Sequence, residues 1–113
     1  MRYLSYMKHS MDTYKLFFGS LSNPNRLEIV NCLRNGKKNV TEISKKTKLE
    51  QTLVSHNLKR LLTCGMVFAE QKGKYRYYGL NKKTISPLLV LIDKHMSKYC
   101  VHIISKKNAK NKR

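Results

Sequence analysis

Apolar residues recur along this chain in two periods, and the switch between them outlines the architecture. Across residues 3–18, Leu4, Met7, Met11, Tyr14 and Phe18 step by threes and fours, the spacing of one face of an amphipathic helix. Gly19 and residues 20–23 interrupt that pattern. Asn23-Pro24 then predicts a second helix, with Asn or Ser as the cap and Pro in the first turn. Its inward stripe is expected at Leu27, Val30 and Leu33, flanked by Ile29 and Cys32, and Asn35-Gly36 stops it. A short third helix is predicted over residues 42–46, with Thr41 as the expected cap. A fourth is predicted over residues 51–63, burying Val54, Leu58, Leu61 and Leu62 and ending at Cys64-Gly65.

Past Gly65 the helical period gives way to strand-like composition. Residues 67–71 and 75–80 are rich in aromatic and β-branched side chains and flank Lys72-Gly73-Lys74, which predicts a β-hairpin with a basic tip. A last helix is expected over residues 84–104, with Ile85, Leu88, Leu89, Ile92, Met96, Tyr99 and Ile103 along one face. Residues 105–113 hold five basic residues in nine and are expected to be a disordered tail. The fold class is therefore mostly α with a small β-hairpin, in the order α-α-α-α-β-β-α. One domain is expected over residues 1–104, and no internal repeat divides it.

Composition narrows the function. With 113 residues and 41% apolar content, the chain is long enough for one small core. No run approaches the ~18 consecutive apolar residues of a membrane span, and residues 1–9 lack the layout of a signal peptide. A cytoplasmic, nucleoid-associated protein with no membrane partner is expected. Charge changes the picture most, because 24 Lys and Arg oppose 6 acidic residues for a net +18. By segment, residues 1–36 carry +3, 37–64 carry +5, 65–84 carry +4 and 85–113 carry +6, so the charge is not a tail effect. A field of this sign favours a polyanion as partner, either nucleic acid or an anionic membrane surface, over the plainer reading of a solvated basic surface. Cys32, Cys64 and Cys100 are too few and too widely spaced for a disulfide framework or a zinc knuckle, and are read as buried small hydrophobes.

The third and fourth predicted helices, joined by a few residues, read as a helix-turn-helix. A helix entering a groove about 12 Å wide needs small or flexible hydrogen-bonding groups outward. Gln51, Thr52, Ser55 and His56 meet that need in the first half of the fourth helix, where base edges are met. Lys59 and Arg60 further along suit phosphates, which position a protein without reading sequence. In the hairpin, Lys72, Lys74 and Arg76 surround Gly73, whose freedom at positive φ lets the tip turn tightly against a backbone or minor groove. Tyr75, Tyr77 and Tyr78 are read mainly as strand packing, with stacking on single-stranded bases as the second reading. Glu50, beside the start of the fourth helix, either accepts from a cytosine amine or costs some affinity. Arg26 either reaches a phosphate or forms an internal ion pair.

These residues also carry a family resemblance. Leu21-Ser-Asn-Pro-Asn-Arg-Leu-Glu-Ile-Val, Val40-Thr-Glu-Ile-Ser, Leu53-Val-Ser-His-Asn-Leu-Lys-Arg-Leu, Cys64-Gly-Met-Val and Gly73-Lys-Tyr-Arg-Tyr-Tyr-Gly-Leu, in that order, resemble the ArsR/SmtB-type winged-helix repressors. The resemblance implies a dimer that binds operator palindromes and releases them on meeting an inducer, often a metal. It does not carry over to the metal sites. One such site uses a Cys-x-Cys pair in the short helix, where this chain has Thr41-Glu42-Ile43-Ser44-Lys45. The other, at the last helix, falls on Lys82, Thr84, His95 and Lys98, only one of them a ligand. Asp93 and Cys100 lie on one face of that helix and His95 and His102 on nearly the opposite one, so only pairing across a dimer would bring such groups together. No metal and no cofactor is expected.

Adjacent Ser55 and His56 point apart on a helix and form no nucleophile–base pair, and there is no glycine-rich phosphate loop. The chain is expected not to be an enzyme. The first and last helices carry more apolar surface than one small domain covers. Leu4, Met7, Met11, Leu88, Leu89, Ile92, Met96 and Tyr99 are therefore the expected homodimer interface, setting two reading helices about 34 Å apart. The favoured function is a site-specific repressor of double-stranded DNA. The alternatives are a low-specificity DNA-coating or architectural protein and a basic RNA-associated module.

Overall fold

The computed structural model describes the backbone of residues 2–104 and the side chains of residues 11–104. The expected tail over residues 105–113 and the side chains of Leu4 and Met7 lie outside the described residues. The polypeptide forms two units, one ending at Asn81 and the other beginning at Lys82.

In the first unit, α1 (Arg2–Leu21) runs through the Gly19-Ser20 step where the pattern predicted an interruption. The Ser20 hydroxyl donates back to the Leu16 carbonyl and the Ser22 amide to the Phe18 carbonyl, both at 2.8 Å. The last turn thus stays bonded despite its poor helix formers. Helix α2 (Pro24–Cys32) opens as expected, with the Asn23 side chain accepting from the Asn25 and Arg26 amides. A 3-10 turn (Leu33–Asn35) and Gly36 close it.

The buried face of α2 is Ile29, Val30 and Leu33, whereas Leu27 is 45% exposed. The expected stripe was rotated by part of a turn. Leu27-Val30-Leu33 and Ile29-Val30-Leu33 both satisfy helical spacing, and packing against α3 and α4 selects the second.

Helix α3 (Val40–Thr47) starts before the expected cap: Asn39, not Thr41, closes it. The Asn39 side chain accepts from the Glu42 amide at 2.9 Å, and the Glu42 carboxylate accepts from the Asn39 amide at 3.0 Å. This reciprocal pair satisfies two donors that Thr41, already inside the helix, would leave open. Lys48 then takes a left-handed conformation at φ 62°. The Ser44 hydroxyl donates to the Leu49 carbonyl at 2.5 Å and fixes the turn into α4.

Helix α4 spans Gln51–Thr63, as the spacing predicted. Val54, Leu58 and Leu61 are buried, Leu62 is half-buried, and the polar Asn57 joins the buried face.

Strands β1 (Val67–Lys72) and β2 (Tyr75–Leu80) pair antiparallel from Val67 opposite Leu80 to Lys72 opposite Tyr75. The turn is therefore the two residues Gly73 and Lys74, with Lys72 in the strand. Gly73 sits at φ 61°, the sign that the first position of a II′ turn requires. At the base of the hairpin, Lys38 and Tyr78 exchange backbone hydrogen bonds at 3.0 and 2.8 Å. Lys37 lies over Gly79, where a Cβ would stand 2.9 Å from the Lys37 Cγ. The core of this unit is Ile29, Val30, Ile43, Val54, Leu58, Leu61, Met66 and Val67, each at most 1% exposed.

In the second unit, α5 (Ile85–His95) passes into a π-helical turn (Met96–Cys100), and residues 101–104 are again α-helical. The wider turn rotates residues 101–104 by about 100° relative to an uninterrupted helix. The single apolar face predicted as far as Ile103 is therefore broken after Met96. Ile85 is buried and Leu88, Leu89 and Ile92 are half-buried. Leu91, Met96, Tyr99, Val101 and Ile103 are exposed.

The three cysteines are free and half-buried, not buried as expected. Partial burial still pushes the Cys32 thiol above its ordinary pKa.

Candidate nucleic-acid interface

On α4 the buried row of Val54, Asn57, Leu58 and Leu61 fixes which side chains face outward. Steps of four place Gln51, Ser55 and Lys59 in one exposed row and Thr52, His56 and Arg60 in the next. Neutral hydrogen-bonding groups occupy the first two turns of these rows, and cations the third. The six residues singled out on this helix thus spread over about half of its circumference, with Ser55, Lys59, Thr52 and His56 in the middle and Gln51 and Arg60 at the two edges.

Arg60 is braced at the inner edge of its guanidinium, since its Nε donates to the Ser20 Oγ at 3.3 Å. Ser20 is fully buried, and its oxygen also stands 3.2 Å from the Cys64 Sγ. Glu50 occupies the N-cap of α4 but makes no capping hydrogen bond with its side chain. It leaves an exposed negative charge at the positive end of the helix.

On the hairpin, Lys72, Gly73, Lys74 and Arg76 are all exposed. The Gln71 side-chain amide donates to the Gly73 carbonyl at 3.0 Å and stiffens the tip. Lys74 stands over the Tyr75 ring at 5.4 Å and Arg76 over the Tyr78 ring at 5.6 Å. Tyr78 is buried and Tyr77 half-buried, with the Tyr75 and Tyr77 rings edge to face at 6.5 Å. Strand packing accounts for Tyr77 and Tyr78, while Tyr75 remains 48% exposed.

The hairpin carries one carboxylate, Glu70, and it is paired with the Lys37 Nζ at 2.5 Å. That hydrogen bond and the Lys37 charge hold its pKa below the ordinary carboxylate range. The hairpin therefore presents its cations with its own negative charge neutralised from the side.

Half-buried Arg26 turns its guanidinium to neutral acceptors within the fold. Its guanidinium donates to the Ser20 carbonyl at 2.5 Å, the Gly19 carbonyl at 3.3 Å and the Asn57 Oδ1 at 3.2 Å. Sequence reasoning missed both Ser20 and Asn57. For Asn57 a signal existed: it falls in the Val54-Leu58-Leu61 stripe, where a polar residue demands a buried partner.

Of the residues expected to form a dimer interface, Met11, Met96 and Tyr99 are exposed, and Leu88, Leu89 and Ile92 half-buried. His95 packs against Tyr99 with ring centroids 4.8 Å apart and the planes tilted by 40°. Among the described residues, no three His, Cys, Asp or Glu side chains converge as metal ligands would. Among them also, no helix is long and apolar enough to cross a membrane.

A profile described as "Bacterial regulatory protein, arsR family" matches residues 23–68, the stretch from the α2 cap to the start of the hairpin. The HTH-type transcriptional regulator NmtR of Mycobacterium tuberculosis is 36% identical over 70 residues, which are 62% of this chain. The chain spans 58% of that protein's length. The arsenical resistance operon repressor of Bacillus subtilis is 34% identical over 67% of this chain and 73% of its own. Among solved structures, a homodimeric winged helix-turn-helix DNA-binding domain from Mycobacterium bovis superposes with a TM-score of 0.78 at 26% identity. The match covers 86% of this chain and 90% of that one. The first two are named as a regulator and a repressor, and the Mycobacterium bovis domain has the winged helix-turn-helix that the order of elements predicted. With the same helix-turn-helix core in sequence and the same architecture in space, the chain belongs to the arsR family of bacterial regulatory proteins.

Proposed function

We propose that the chain is a homodimeric repressor that binds a two-fold-related site in duplex DNA. The observation that carries this reading is the pair of exposed rows on α4, neutral and hydrogen-bonding first, cationic after. Base edges demand the first kind of group and phosphates the second. In this reading Gln51, Thr52, Ser55 and His56 meet bases, and Lys59 and Arg60 meet phosphates. Lys72, Lys74 and Arg76 brace the adjacent backbone from the hairpin.

Dimerisation through the terminal helices is supported by their exposed apolar residues and by the homodimeric state of the Mycobacterium bovis relative. Repression is the activity for which the Bacillus relative is named. Lysines at positions 82 and 98 and the lack of cysteine in α3 support a regulator without the metal sites common in this family.

The net charge of +18 favours a second reading, a protein that coats DNA with little preference. Selection of bound duplexes from a random-sequence library at near-physiological salt separates the two. Recovery of an inverted repeat with half-sites about 10 base pairs apart is the expected result. Recovery of no motif, with binding that falls steeply as salt rises, would replace the repressor by the coating protein.

A further inference from the structure

The Arg26 guanidinium is the junction between the end of α1 and the back of α4. The last carbonyls of a helix lack partners within it and carry partial negative charge. Arg26 takes two of these in α1, those of Gly19 and Ser20, and turns its remaining edge to the Asn57 Oδ1. Asn57 is only 3% exposed, and its amide nitrogen already donates to the Leu53 carbonyl at 2.9 Å. Its oxygen is thereby held facing Arg26. A second tie runs parallel, from Arg60 on the outer side of α4 to the buried Ser20.

We propose that Arg26 and Asn57 are specificity-determining positioning residues, which set the roll of α4 about its own axis and so the aim of Ser55 and His56 at base edges. Neither touches DNA. The inference rests on the reading of α4 as the base-reading helix.

Scale supports it. A helix with its side chains is about 10–12 Å across, so a roll of about 20° carries an outward group roughly 2 Å sideways. A hydrogen bond to a base edge tolerates a few tenths of an ångström. A phosphate contact by a long Lys or Arg side chain absorbs the same shift. Loss of the tie therefore removes sequence reading and leaves phosphate binding. Only a planar fork spans three acceptors on two helices; a lysine at position 26 keeps the charge but donates from one point.

The test compares the wild-type chain with Arg26→Lys, Asn57→Leu and the double variant. Each is measured against the selected duplex and a scrambled duplex of equal length in the same salt. Melting temperatures establish that every variant is folded at the assay temperature. Each single variant is expected to lose about tenfold in affinity for the selected duplex, the size of one good base contact, and less than about twofold for the scrambled one. The double variant is expected to be no worse than the weaker single, because both break one tie. Equal losses on both duplexes, or none on either, would overturn the proposal.

Amide chemical shifts of the free protein supply a DNA-independent arm. Arg26→Lys is expected to move the signals of Leu53, Ser55, His56 and Arg60 while those of the hairpin tip stay in place. Unmoved α4 signals would overturn the tie even if the wild-type chain proved to have no preferred duplex. Absence of a preferred duplex with moved α4 signals would instead fault the base-reading assignment.

Discussion

Ser55 and Lys59 occupy the same exposed row of α4, one turn apart, and in the proposed DNA complex their chemistry gives them different work. A hydroxyl reads a base edge and releases no counterion, whereas an ammonium on a phosphate does. Lys59→Ala is expected to weaken binding to all duplexes alike and to lower the salt dependence of log affinity by about one unit. Ser55→Ala is expected to leave the salt dependence unchanged and to relax the preference at one or two base pairs. Titrating each variant against selected and scrambled duplexes over a range of salt measures both. The Lys37–Glu70 pair acts on stability instead. Because it depresses the pKa of Glu70 in the folded state, its contribution is present at neutral pH. It fades as pH falls through that depressed value. Glu70 is solvent-exposed, so the contribution is small. Lys37→Met is expected to return the Glu70 carboxyl toward the ordinary range, read by NMR titration of its side chain. An unmoved titration would show that Lys37 is not the cause.

Capping decides how the elements of the helix-turn-helix begin. In α3 the Asn39–Glu42 box satisfies two backbone donors, and Asn39→Ala is expected to cost about 1 kcal/mol by denaturant unfolding. In α4 the corresponding position holds Glu50, which caps nothing with its side chain. A serine there supplies a cap worth about 1 kcal/mol, less a few tenths for the lost charge–dipole attraction. Glu50→Ser is therefore expected to raise stability slightly and DNA affinity as well, since it removes a negative charge from the proposed DNA-facing end. Reduced affinity in this variant would mean that Glu50 contacts a base amine. Thr41 satisfies the residue preference of a cap as well as Asn39 does, so residue type alone does not place the start of α3. The reciprocal geometry of Asn39 and Glu42 emerges only once Val40 enters the helix.

For the molecule as a whole, the exposed apolar residues of α1 and of α5 with its π-helical turn bear on assembly. Met11, Tyr14 and Phe18 in the first unit and Leu91, Met96 and Tyr99 in the second each remain at least 40% exposed. In the proposed dimer these side chains are the ones a partner copy would cover. Ile92→Glu is expected to shift the sedimenting species from dimer to monomer and to lower affinity for an inverted repeat, because half-sites would then be bound one at a time. A variant that sediments as an unchanged dimer would move the interface away from this helix.

Whatever depends on near neighbours along the chain was legible in the amino acids alone. The order of elements, the bounds of α4, the Asn23 cap and the hairpin come from residue spacing and turn chemistry, which act over three to five positions. The outward set from Gln51 to Arg60 was legible for the same reason: once Val54, Leu58 and Leu61 are inward, helical geometry leaves those six outside. Choices between locally equivalent options fell to the three-dimensional packing. Leu27 and Ile29 fit the α2 stripe equally well until α3 and α4 packed against one side. The three acceptors of Arg26 could be identified only when the end of α1 and the back of α4 met around it. The π-helical turn breaks a period that the sequence of α5 continues without a fault. Spacing fixes which side chains share a face, but only packing decides which face is buried and what a buried polar group will find there.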